Sequence, residues 1–153
     1  LAEAENERMH LMFFIEIAKP NIFERWLILA AQAIFWNYYF LLYVCSPTTA
    51  HLMVHHFEEE AVKSYTSYLE MVESGLVENV PAPTLAIDYY GLKETARLSD
   101  LIKCVRADEQ RHAVANANFA EEQQPERANG NAVVDLPAER CEADEAPARR
   151  DAA

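Results

Sequence analysis

Two copies of one spacing, Glu7-Arg8-Met9-His10 and Glu109-Gln110-Arg111-His112, constrain this chain more than any other feature of it. On a helix, a separation of three residues puts a carboxylate and an imidazole on the same face one turn apart, so each pair can grip a metal ion. Both copies lie in stretches that favour helix. Residues 2–18 contain no Gly or Pro and are rich in Ala, Glu, Met and Leu, with Pro20 and Asn21 marking a turn after them. From Glu94 to about Glu121 there is again no Gly or Pro, and Leu98, Leu101, Ile102, Val105 and Ala113 recur as one apolar face. Between the two copies lies Glu58-Glu59-Glu60, on a helix that Thr48 and Thr49 can cap, that Val62 and Leu69 continue, and that runs to about Ser74 with Gly75 as its stop. One E-x-x-H on a helix often arises by chance. Two of them, with a carboxylate run between, read as a metal constellation.

The remaining helix is of another kind. From Trp26 to Cys45 the strongly polar residues are Gln32 and Asn37, and none is charged. A helix apolar nearly all round is either buried or in lipid. At about 1.5 Å per residue it is long enough to cross a bilayer, so length does not decide between these. Four helices are expected, and residues 75–93, with Pro81, Pro83 and Gly91, read as an irregular connection. Di-iron bundles of the ferritin-like type take one Glu from each of two helices and an E-x-x-H from each of two others. The expected fold is therefore all-α, a ferritin-like di-iron four-helix bundle that is incomplete, because this chain supplies three of those four elements. The remaining Glu is expected on a helix upstream of Leu1, in keeping with a chain that begins without Met inside a helix-favouring stretch. Residues 1–121 form the expected domain. Residues 122–153, dominated by Ala, Glu, Arg and Pro, form an expected disordered tail.

With 153 residues, 51% hydrophobic, the chain can bury a real core. A net charge of −12 without a Lys/Arg cluster argues against a nucleic-acid partner. Cys45, Cys104 and Cys141 are too few and too scattered for a disulfide framework or a CxxC zinc site, and are read as ordinary thiols. The donor set of carboxylates and imidazoles suits iron or manganese. Glu59 and Glu60 are read as a solvated face or as support for the metal ligands. His51 and His55 precede Glu58 by seven and three residues and share its face; satisfied histidines are the commoner reading, extra ligands the alternative. Tyr65, two turns after Glu58, points the same way, as a redox-active phenol or as plain core. Trp36, Tyr38, Tyr39 and Tyr43 are read as packing or interface residues.

These residues resemble a known family, the alternative oxidases, di-iron quinol oxidases of respiratory membranes. The resemblance rests on Asn6-Glu7-Arg8-Met9-His10-Leu11, on Glu58-Glu59-Glu60-Ala61, on Pro81-Ala82-Pro83 leading to Asp88-Tyr89-Tyr90, and on Arg106-Ala107-Asp108-Glu109 with His112. Glu7, Glu58 and Glu109 are also fifty-one residues apart each time, as in members of the family. The match covers roughly residues 1–120, and its N-E-R-M-H wording is closer to the respiratory type than to plastid quinol oxidases.

The resemblance implies two iron ions held by Glu7, His10, Glu58, Glu109 and His112, with Tyr65 taking part in oxygen reduction. It implies that Asn6 and Asp108 brace the ligands, and that Glu60, Ala61 and Ser64 line a quinol pocket. The implied activity is a membrane-bound terminal oxidase passing electrons from ubiquinol to dioxygen, giving water without proton pumping. The implied setting is a homodimer attached to one leaflet of a mitochondrial inner or bacterial cytoplasmic membrane. The family's first long helix, with another glutamate, has no counterpart here. Leu52-Met53-Val54-His55-His56-Phe57 departs from the arginine, glycine and tyrosine usual before the Glu run. The competing readings are a soluble di-iron carboxylate oxygenase, an iron-storage bundle, and a structural bundle without metal.

Overall fold

Helix ends in this chain are set by a few local hydrogen bonds, and those bonds decide which residues face inward. The computed structural model describes residues 2–123. The helix α1 spans Ala2–Ala18 and closes on Lys19, which takes the left-handed conformation (φ 46°) while its N–H donates to Ile15 O. Asn21 then caps α2, Ile22–Cys45: its Oδ1 accepts from the N–H groups of Phe23 and Glu24, and Glu24 accepts from the Asn21 N–H in return. The helix thus begins earlier than the charge-free run alone indicated.

Ser46 ends α2 and begins α3, Pro47–Glu73. Its N–H donates to Leu42 O at 2.8 Å and its Oγ accepts from Thr49 N–H at 3.4 Å. Pro47 occupies the first turn, where a missing N–H costs nothing. The cap is therefore Ser46, not Thr48 or Thr49. Gly75, at φ 80°, follows the helix end as expected.

The segment expected to be irregular contains a short helix, α4, Thr84–Tyr90, closed by Gly91 at φ 66°. The last helix, α5, is Leu98–Glu122, starting four residues later than the Gly- and Pro-free stretch. Its preceding turn is drawn away by the loop before α4: Ala82 N–H donates to Ala96 O, Leu98 N–H to Val80 O, and Arg97 Nε to Asn79 O.

Pairwise contacts fix the directions. His51 meets Asn116, His55 meets Ala113 and Thr66 meets Arg106, so α3 and α5 are antiparallel. His10 meets Asp108 and Phe13 packs with Leu101 and Val105, so α1 is also antiparallel to α5 and runs parallel to α3. The core lies among these three helices and the α4 segment: Phe13, Ala86, Leu101 and Val105 in one cluster, Leu69, Val72, Leu98 and Ile102 in a second. The anticipated face of α5 is buried throughout.

The architecture is an all-α bundle, as expected. By contrast, α2 folds back along α3, Phe35 against Phe57 and Tyr43 against His51, and has no buried residue within the described chain. Cys45 is a free, exposed thiol. Cys104, fully buried on α5, is disulfide-bonded, which corrects its reading as an ordinary thiol. The expected tail and Cys141 lie outside the described residues, apart from Glu122 and Gln123, which end α5.

Candidate metal centre

Each of the three packed helices turns a carboxylate toward the same point. Glu7 comes from α1, Glu58 from α3 and Glu109 from α5, and with His112 they offer ligand atoms that all lie within 4.8 Å of one another. His10 closes the group from α1. Its Nδ1 lies 3.2 Å from Glu109 Oε1 and 3.6 Å from Glu7 Oε1, while His112 Nδ1 lies 2.9 Å from Glu7 Oε1. All five residues expected to be ligands are thus brought together. His10, Glu109 and His112 are buried, and Glu7 remains half-exposed.

Two observations bear on whether a metal fits. Neither His10 Nδ1 nor His112 Nδ1 has a hydrogen-bond partner, although both are buried: the carboxylate oxygens are close but not aligned to accept. Such nitrogens ordinarily find a partner, and an imidazole aimed at carboxylates without bonding them is placed as a ligand. The second is charge. Two carboxylates about 5 Å apart repel by roughly 3 kcal/mol at an effective dielectric of about 20, so three together need a cation or a proton. Without a cation, Glu58 takes the proton: burial first, and then the neighbouring Glu109 carboxylate, raise it well above the usual carboxylate range. Burial opposes the ionisation of Glu7, but His10 and His112 outweigh it and hold its carboxyl at about 2. The oxygen and nitrogen donors, the orphaned nitrogens and the excess negative charge together fit a divalent cation.

His10 is held from behind. Its Nε2 lies 3.1 Å from Asp108 Oδ2 and 3.0 Å from the Tyr90 hydroxyl. Asp108 Oδ2 also accepts from Asn6 Nδ2 at 2.9 Å and Tyr90 OH at 2.7 Å, and Arg111 donates to its other oxygen. Burial alone would raise the Asp108 pKa, but His10, Tyr90, Asn6 and Arg111 overcome it and lower it. An ionised acceptor there keeps the His10 proton on Nε2 and leaves Nδ1 facing the carboxylates. In the metal-free cluster, burial penalises the charged imidazole, yet Asp108, Glu109 and Glu7 raise His10 to about 11.

Tyr65 sits on the same side of α3 as Glu58 and stacks on Phe14, with ring centroids 5.7 Å apart. Burial, followed by the charges of Glu109, Glu7 and Glu58, pushes its phenol above the ordinary tyrosine range. Glu60 and Ser64 lie outside the cluster on the exposed surface of α3, Glu60 paired to Lys63 and the Ser64 hydroxyl donating to Glu60 O; Ala61 is half-buried. Both His51 and His55 turn their Nδ1 to α5, to Asn116 Oδ1 and to Ala113 O, and neither joins the five-residue cluster.

Sequence reasoning gave no role to Tyr90, although Asp88-Tyr89-Tyr90 was noticed. No periodicity marks a side chain delivered by a seven-residue helix after two prolines. It also missed Asn116, which accepts from His51 and donates to His112 O. A cleft of about 460 Å³ beside Asn6, Tyr89, Tyr90 and Arg111 opens behind this network.

Comparison with known proteins agrees with this geometry. The family description for the alternative oxidase matches residues 1–121. "Ubiquinol oxidase 2, mitochondrial" of Glycine max is 55% identical over 116 residues, 76% of this chain and 35% of that protein. "Ubiquinol oxidase, mitochondrial" of Mangifera indica is 49% identical over 138 residues, 90% of this chain and 42% of that protein. "Ubiquinol oxidase 1a, mitochondrial" of Arabidopsis thaliana is 53% identical over 116 residues, 76% and 33%. The chain spans about two fifths or less of the length of these relatives. With its two E-x-x-H helices packed around a shared glutamate and matched from Leu1 to Glu121, the chain belongs to the alternative oxidase family.

Proposed function

We propose that this chain is the metal-holding part of a di-iron quinol oxidase that passes electrons from ubiquinol to dioxygen, giving water without pumping protons. The observation that carries the reading is the convergence of Glu7, His10, Glu58, Glu109 and His112, with two imidazole nitrogens orphaned toward the carboxylates. The substrate comes from the relatives, which are named ubiquinol oxidases and mitochondrial. Their names favour a mitochondrial membrane over a bacterial one.

Two irons fit the donor set. The chemistry supplied by a bound di-iron pair is multi-electron reduction of dioxygen. The chain's own groups hold and shield it. Glu7, His10, Glu58, Glu109 and His112 would hold the irons, and Asp108, with Asn6 and Tyr90, would keep His10 in the ligating tautomer. Tyr65 keeps its proton to high pH, and its phenol would serve as a donor of a proton and an electron beside the irons. Replacing Tyr65 with Phe is expected to stop turnover with iron content unchanged; normal turnover would remove this role.

Quinol is placed on the outer surface of α3 at Glu60, Ala61 and Ser64, and the protein is placed on one leaflet as a homodimer. The exposed apolar surface of α2, including Phe23, Trp26, Ile34 and Trp36, supports attachment, since such a surface in water is costly. Carbonate extraction distinguishes attachment from spanning, because complete release excludes a spanning helix.

The test is a chimaera in which this chain replaces the matched segment of the Glycine max relative. Two irons per protein and ubiquinol-dependent oxygen uptake are expected. Iron without quinol dependence would favour a soluble di-iron oxygenase or a storage bundle instead. A folded chimaera that takes up no iron would reject the reading.

A further inference from the structure

We propose that His55, His56 and Glu59 form a separate site on α3, at the edge of its contact with α5, for one divalent transition-metal ion of the zinc class. One ligand atom from each lies within 4.8 Å of the others, and none of the three belongs to the Glu7-Glu58-Glu109-His112 group. His55 precedes Glu59 by four residues and His56 precedes it by three, so both imidazoles reach the same carboxylate along one face of the helix. His55 Nε2 lies 3.8 Å from Glu59 Oε1, His56 Nδ1 lies 3.2 Å from Glu59 Oε2, and the two rings are 5.2 Å apart.

The tautomer of His55 provides a second, independent observation. Its Nδ1 lies 2.7 Å from the carbonyl oxygen of Ala113, which can only accept, so the proton is on Nδ1. Nε2 is then the ring nitrogen that faces Glu59. Metal-ligating histidines are oriented in this way, one ring N–H given to a backbone carbonyl and the other nitrogen given to the metal.

The chemistry selects the ion. Two imidazoles and one carboxylate, with the remaining position open to water, form the donor set of an accessible zinc site, and imidazole disfavours magnesium and calcium. Access is free, because His56 and Glu59 are exposed and His55 is about a fifth exposed.

The experiment is calorimetric titration of the full chain with Zn²⁺, compared with His56→Ala and Glu59→Gln. Both positions are exposed, so folding is expected to survive, checked by circular dichroism. Wild type is expected to bind one zinc more than His56→Ala, whose iron content stays unchanged, and Glu59→Gln is expected to weaken that zinc by roughly tenfold or more. Equal zinc stoichiometry and affinity in wild type and His56→Ala would overturn the proposal. Because the readout is zinc at this triad, absence of iron or of oxidase activity would count against the proposed function and leave this result standing.

Discussion

The most apolar helix of the molecule is its least buried, and the helix with the most acidic and amide groups inward is its most buried. Along α2 no residue is buried, and Phe23 and Ile34 are 82% and 73% exposed. Along α5 eleven residues are buried, among them Asp108, Glu109, His112 and Asn116. Average hydrophobicity did not decide between them. What decided is whether partners exist: α5 finds carboxylates, imidazoles, a tyrosine and an apolar stripe on its neighbours, whereas among the described residues α2 packs mainly on one side of α3. A helix apolar all round with so few partners carries a surface that is costly to leave in water, and polar residues that satisfy one another sink readily.

The contrast is sharpest in stability. Phe13→Ala, which empties a fully buried position against α5, is expected to cost about 3–5 kcal/mol in urea unfolding followed by circular dichroism. A much smaller loss would mean that the α1–α5 contact is not the core. Next in size is Asp108→Asn, which removes the charge that holds the His10 proton on Nε2. Iron affinity is expected to fall about 10–100-fold with the helices intact; unchanged affinity would sever the link between this network and the centre.

A smaller effect is expected from pH. Between 6.5 and about 11 the folded, iron-free chain binds a proton at His10 that the unfolded chain has lost, so its stability falls as pH rises through that window. Glu58, raised above its ordinary 4.5, contributes with the same sign. Glu7, held at about 2, acts in the opposite sense, its contribution being lost as pH falls from 4.5 toward 2. The unfolding midpoint of the iron-free chain should therefore decline above pH 6.5, and iron should flatten that decline. A midpoint that rises toward alkaline pH would contradict this arrangement of charges. The smallest effect is expected on α2, where Ile34→Ala should change stability by no more than about 0.5 kcal/mol while weakening binding to phospholipid vesicles. A loss like that of Phe13→Ala would place α2 in the core after all.

Much of this was legible in the residues, because helix period and ligand spacing are local properties. Glu7 with His10 and Glu109 with His112 announce themselves at a spacing of three, α1 was bounded by Pro20, and the inward face of α5 follows from its apolar repeat. The misreadings arose where tertiary contacts override local pattern. Residues 94–97 are helix-permissive, yet their turn is tied to Asn79, Val80 and Ala82. Tyr90 reaches Asp108 from a segment whose prolines and glycine conceal a helix of seven residues. His55 gave no sign that Ala113 would accept its proton, because that partner is fifty-eight residues away.

A single residue, Ser46, joins α2 to α3, and both its N–H and its hydroxyl are engaged. No slack remains at that joint. The end of α2 is therefore tied directly to the start of α3, and Glu58 stands three turns farther along that same rod.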